Sequence, residues 1–219
     1  MENQELDHKN QSLVAISALT AKGDITGLKA SLAKGLDAGL TISEIKEELV
    51  QLYAYCGFPR SLNAVNAFMA VLDDRKGKGI TDEEGRDASR VADGNKYEAG
   101  KKNLQTLTGI EETGPKKGAN GFAPLIDTFL KEHLFADIFN RDILTFQERE
   151  LITISTLATL SGVEPQLQAH IGMGMNTGLT EQQLKRAFLL IGTTIGKIEA
   201  DSALEVLAKV VEARNQNNK

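Results

Sequence analysis

The 219-residue sequence contains no tryptophan, one cysteine, three histidines and four prolines. A single thiol excludes a disulfide within the chain, and with it a two-thiol redox cycle inside one subunit. So few prolines, no tryptophan and almost no strand signals argue against a turn-rich β-sandwich. Apolar runs are short: those such as Phe188 to Ile191 fall far below the roughly 20 residues that span a bilayer, so no membrane partner is expected. Positive charge is also in deficit. With 25 Lys and Arg against 30 Asp and Glu, the net charge of −5 argues against a nucleic-acid surface. The histidines, at 8, 133 and 170, make no familiar metal spacing with the lone cysteine. No phosphate loop or G-x-S-x-G elbow is present, so neither a metal nor a cofactor is expected. Glu2, Glu5 and Asp7 precede the first apolar run where a secretory signal would be basic, so the chain reads as cytoplasmic. The remainder, 41% hydrophobic and 25% charged, is ordinary for a globular chain able to bury a core.

What the sequence does have is a repeat. Residues 13–19 (LVAISAL) return as 151–157 (LITISTL), and 34–46 (KGLDAGLTISEIK) return as 173–185 (MGMNTGLTEQQLK). At an offset of 139, identical pairs include Leu28/Leu167, Gly35/Gly174, Gly39/Gly178, Thr41/Thr180, Gly57/Gly196 and Ala64/Ala203. Each copy reads as helical. Leu28, Leu32 and Leu36 recur along one helix face, which ends at Gly39, a residue able to take the left-handed conformation of a helix C-terminus. Thr41 then opens a new helix, with Glu44 completing a capping box; Gly178, Thr180 and Gln183 repeat the pattern. Downstream, Cys56-Gly57-Phe58-Pro59 breaks the helix, and Pro59 suits the first turn of its continuation.

Between the copies, residues 73–121 hold nine of the 20 glycines, ten acidic and ten basic residues. A helix is expected from about Lys96 to Thr108, with loop around it. From Phe122, the spacing of Leu125, Ile126, Phe129, Leu130, Leu134 and Phe135 predicts an extra helix packed on the second copy. The expected organisation is therefore all-α: a first repeat over 1–75, a polar glycine-rich linker over 76–121 and a cysteine-less second repeat over 122–219.

Cys56 is the first candidate for chemistry, because a thiol near a helix N-terminus favours thiolate. Glu44, Glu47 and Glu48 lie upstream, where a carboxylate could relay protons. In the second copy Arg149, Glu150 and His170 stand out, the histidine as a group able to shuttle protons near neutrality. His8 and His133 look like surface residues.

The string Glu44-x-x-Glu47, Tyr53-x-Tyr55-Cys56-Gly57-Phe58-Pro59 and Asn63-Ala64 resembles the C-terminal half of the carboxymuconolactone decarboxylase domain, which includes the alkylhydroperoxidase D-like proteins. Arg149-Glu150-Leu151-Ile152-Thr153-Ile154, His170 and Gly178-Leu179-Thr180 resemble its N-terminal half. The resemblance implies an all-helical tandem member, and a homo-oligomer in which three two-repeat chains reproduce a six-domain ring. It implies a small-molecule substrate, either a lactone or organic acid handled by acid–base chemistry or a peroxide attacked by Cys56 with an external resolving thiol. A non-catalytic scaffold is the third alternative. The peroxidase members carry a C-x-x-C pair and a following histidine; here those places hold Pro59 and Asn63, and Ile195 stands where the second copy would need its cysteine. The copies have lost complementary residues: Gln11, Ser12 and Ser31 stand where copy two has Arg149, Glu150 and His170. The expectation is one site between copies, with Cys56 and Glu44 or Glu48 facing Glu150 and His170. Tyr53, Pro59, Asn63 and Arg149 are the candidates for binding substrate.

Overall fold

In the computed structural model, which describes residues 5–90 and 94–217, each repeat begins with a buried helix followed by an amphipathic hairpin. The first copy comprises α1 (His8–Lys22), α2 (Ile25–Asp37) and α3 (Ile42–Gly77); the second comprises α7 (Phe146–Thr159), α8 (Glu164–Asn176), α9 (Glu181–Thr194) and α10 (Lys197–Asn217). Among the described residues there is no strand. The hairpin signals act as expected. Gly39 and Gly178 take φ values of 92° and 105°, and the Leu40 and Leu179 amides reach back to the Gly35 and Gly174 carbonyls, both at 2.9 Å. Thr41/Glu44 and Thr180/Gln183 form capping boxes, and Thr145/Glu148 forms a third that sequence reading did not find. Gly57, at φ 83° and ψ 155°, breaks α3 in mid-course; the second copy makes its break at Ile195 and Gly196, between α9 and α10.

The copies interlace. α3 packs against α7 of the second copy, and α9 packs against α1 of the first, while α1 and α7 lie against one another. Each apolar core is therefore shared. Leu6, Val14 and Ala18 join the core of α7–α10, and Leu144 and Ile152 join the core of α1–α3. This arrangement creates two pseudo-equivalent places: one between α3, α7 and α8, the other between α9, α1 and α2.

The polar middle covers only the first. Helix α4 (Lys96–Thr108) has the expected limits. The helix expected from Phe122 is instead broken into α5 (Gly118–Phe122), α6 (Pro124–Phe129) and a π-helix (Leu130–Ile138). Phe122, Leu125, Ile126 and Phe129 are exposed, whereas Leu134, Phe135 and Ile138 pack with Leu107 of α4 over Tyr53, Tyr55, Phe146 and Met173. The apolar spacing thus buries its second half only, against α4 as well as the second copy. Backbone meets backbone where Gly100 faces Lys131: a Cβ at Gly100 would overlap the Lys131 carbonyl. Lys131, itself buried, bonds Asp127 at 2.8 Å and the Tyr97 hydroxyl at 3.0 Å, tying α6 and the π-helix to α4. Burial works against the Asp127 carboxylate, but bonds from Lys116, Lys131 and Tyr97 hold its pKa down at about 2.

Candidate active site between α3, α7 and α8

On a helix, residues four apart share a stripe, and a one-residue step turns the next stripe by about 100°. Two polar stripes run along α3 before the Gly57 break. Glu44, Glu48, Leu52 and Cys56 form one; Glu47, Gln51 and Tyr55 form the other. The second stripe faces α7 and α8.

Its centre is an ion pair with no exposure on the arginine. Arg149 donates through Nη2 to Glu47 Oε1 at 2.9 Å and to the Arg141 carbonyl at 2.7 Å, and through Nη1 to Gln51 Oε1 at 2.8 Å. Gln51 returns its amide to the Arg149 carbonyl at 2.9 Å and to Thr153 Oγ1 at 3.0 Å. Arg141 adds a second guanidinium to Glu47. Burial pulls the Arg149 pKa below its ordinary value, against the opposing carboxylate of Glu47.

At the next residue of α7, Glu150 Oε2 lies 2.7 Å from His170 Nδ1, with Glu150 fully buried and His170 8% exposed. The ring of Tyr55 meets the imidazole edge-on, centroids 5.6 Å apart. Burial, reinforced by the Glu150 carboxylate, pushes the Tyr55 phenol well above its ordinary pKa, so the hydroxyl stays protonated. Two buried polar atoms here, Glu150 Oε1 and Arg149 Nε, have no hydrogen-bond partner among the described residues, and the Tyr55 hydroxyl lies beside Thr153. Unsatisfied polar atoms are costly inside a protein, and their grouping marks a spot where a bound molecule would find partners.

Several sequence expectations are corrected by the phase of α3. Glu44 and Glu48 do not face His170. Glu44 completes the Thr41 capping box and meets Lys9, while Glu48 turns into the first core and accepts from Ser17 Oγ at 2.7 Å. Burial lifts the Glu48 carboxyl well above its ordinary value, the Ser17 bond opposing only in part, which favours its neutral form. The Cys56 thiol points along the same stripe to the Leu52 carbonyl at 3.3 Å. Burial raises its pKa, outweighing the nearby Arg60, so the expected thiolate is disfavoured. Pro59 and Asn63 lie beyond the break and are exposed. Tyr53 belongs to the cover, stacked on Phe58 at 4.3 Å. Arg149 has both fork nitrogens occupied by its own chain, so it clamps the two copies together and leaves only Nε free. Gln51, Tyr55, Thr153 and Arg141 complete the cluster and were not anticipated. The signal was available in Glu47, Gln51 and Tyr55, polar residues at four-residue steps within an apolar helix.

Among the described residues, no group of three or more His, Cys, Asp and Glu side chains is arranged to hold a metal ion, and no helix is long and apolar enough to cross a membrane. The chain is 33% identical over 72 residues to an uncharacterized protein of Methanocaldococcus jannaschii, a stretch covering 33% of this chain and 67% of that protein. The sequence profile of the carboxymuconolactone decarboxylase family matches residues 1–70 and again 124–209, the two interlaced copies. With both copies matched and most of its length accounted for, the chain belongs to the carboxymuconolactone decarboxylase family, as a tandem two-copy member.

Proposed function

We propose that this protein is an acid–base enzyme acting on a small lactone or organic acid, with His170 as the proton carrier. The observation that carries this reading is the 2.7 Å contact between Glu150 and His170 Nδ1 in a buried cluster where the second Glu150 oxygen has no partner. A carboxylate on one ring nitrogen fixes the ring and its tautomer, leaving the other nitrogen to exchange a proton with substrate. For a carboxylated lactone the step balances simply. The carbon–carboxylate bond breaks, carbon dioxide leaves, the electron pair passes into the lactone carbonyl system, and the carbon takes a proton from His170, which water later restores. The protonated Tyr55 phenol donates to developing negative charge on the substrate oxygen. The cover formed by α4 and the π-helix limits water.

A thiol-peroxidase reading rests on Cys56, and the raised pKa of that thiol weighs against it. Carbon dioxide release from lactone acids, measured with His170→Gln and Cys56→Ser, separates the two. Loss with the first variant alone supports the acid–base reading; peroxide consumption lost with the second overturns it. The trimer implied by the duplication remains part of this proposal, and light scattering showing a monomer at micromolar concentration would remove it.

A further inference from the structure

The pseudo-equivalent place between α9, α1 and α2 is hollow where its counterpart is filled. Duplication puts Gln11, Ser12 and Ala15 at the positions of Arg149, Glu150 and Thr153, with Ser31 at that of His170 and Thr194 at that of Tyr55. These shorter side chains line a cleft of about 630 Å³, and a second hollow of about 290 Å³ adjoins it through the shared residues Gln11 and Leu190. The cover is missing as well. Where α4 and the π-helix rest on Phe146 and Met173, the corresponding residues are His8 and Lys34, and among the described residues none of the middle segment lines either hollow.

Each hollow is lined by one acid, Asp37 in the larger and Glu5 in the smaller, and the cations are the less engaged charges. The side chains of Lys34 and His8 have no partner among the described residues, while Asp37, the acid lining the larger hollow, is held by Arg75 at 2.9 Å. Arg186 lines the smaller hollow and stands at the position of Glu47, reversing the charge found there; Glu5, an exposed residue of the same lining, meets it only at 3.8 Å. An ammonium serves the larger compartment and a guanidinium the smaller, with the hydroxyls of Ser12, Ser31 and Thr194 beside them. A guanidinium takes a carboxylate on two donors, an ammonium takes another as a point charge, and the combined space is that of a small-molecule site.

We propose that this vacated twin site binds a small hydroxylated dicarboxylate, with Lys34 and Arg186 holding its two ends. The inference rests on the duplication and the cleft, and is independent of the role given to His170. Calorimetric titration of the full chain with malate, at fixed ionic strength, tests it. Saturable binding is expected, weakened about tenfold or more by either Lys34→Gln or Arg186→Gln, the scale of one lost charge-assisted bond. Ser31→Trp should abolish it by filling the cleft, succinamide should not bind, and His170→Gln should leave malate affinity unchanged. No saturable binding would overturn the proposal. So would binding indifferent to Lys34, Arg186 and Ser31, or binding lost with His170→Gln and retained in Lys34→Gln, which would place malate in the other site.

Discussion

Glu150 and His170 stand twenty residues apart on neighbouring helices, and their side chains meet at 2.7 Å with one carboxylate oxygen left unpartnered. A buried carboxylate bound to an imidazole restrains the ring whether or not chemistry follows, so the two roles must be separated by rate. Removing a positioned proton carrier costs about 10²–10⁴ in rate. His170→Gln should lower kcat/KM for lactone-acid decarboxylation by that range, and Glu150→Gln by a smaller factor because the imidazole remains. Thermal unfolding measured alongside should move by only a few degrees; a collapse of Tm matching the loss of activity would show the pair to be structural.

The Cys56 thiol lies on the wrong stripe of α3 and in the wrong environment for a nucleophile. Its Sγ donates to the Leu52 carbonyl and burial raises its pKa, so less thiolate is present at neutral pH than on a free cysteine. Labelling by an aromatic disulfide should be slower than for glutathione at pH 7, with the rate climbing as pH rises through the elevated pKa. Cys56→Ser should keep decarboxylation within about twofold, inside the usual effect of a neutral substitution. Labelling faster than glutathione would contradict the geometry.

Arg149 and Glu47 join the two copies through a pair whose arginine has no exposure. Breaking such a pair strands a buried charge and costs about 3–5 kcal/mol, whereas replacing both partners with apolar groups is often close to neutral. Urea unfolding should therefore show Arg149→Met as severely destabilising and Arg149→Met with Glu47→Leu as substantially restored. Gln51 and Arg141 also lose a partner in the double variant, so recovery should stop short of the parent. An additive loss would mean the pair acts as two independent sites.

The fold was largely legible because its punctuation is local. Gly39, Thr41 and Glu44 specify a stop, a cap and a box within six residues, and the second copy repeats them. The Gly57 break and α4 were readable for the same reason. The site was legible only in part. Glu150 and His170 could be singled out as residue types, but choosing between the Glu48 and Glu47 stripes needs the rotation of α3 about its axis. That rotation is set by Leu49 and Leu52 packing into a core that the second copy helps to build. The broken helix after Phe122 was hidden by its own apolar spacing, because the decisive partners are Gly100, Tyr97 and Glu112, far away in sequence.

Two glycines separate strain from collision. Gly57 sits at φ 83° and ψ 155° with only Pro59 nearby, so Gly57→Ala meets a conformational penalty of about 1–3 kcal/mol. Gly100 has no unusual φ, but an added Cβ would overlap the Lys131 carbonyl, forcing α4 off the π-helix. Gly100→Ala should cost at least as much in urea, about 1–3 kcal/mol as an overpacked contact. Its hydrogen-exchange signature should differ too, with protection lost selectively in α4 and the π-helix. Uniform loss across the chain would show that the cover does not open as a unit.

Glu48 offers a test by pH, with a sign opposite to the usual carboxylate. Its folded pKa is raised by burial, so the folded chain holds a proton that the unfolded chain releases above its ordinary value. The stability it contributes is full below the unfolded pKa and is lost as pH climbs through the folded one. Glu48→Gln keeps an acceptor for the Ser17 hydroxyl and removes the titration. The variant should match the parent in urea at pH 4, and its advantage should widen as pH rises above the ordinary carboxyl value, levelling off once pH passes the raised one. An advantage that is largest in acid would mean that Glu48 is ionised in the folded state, held there by a partner other than Ser17.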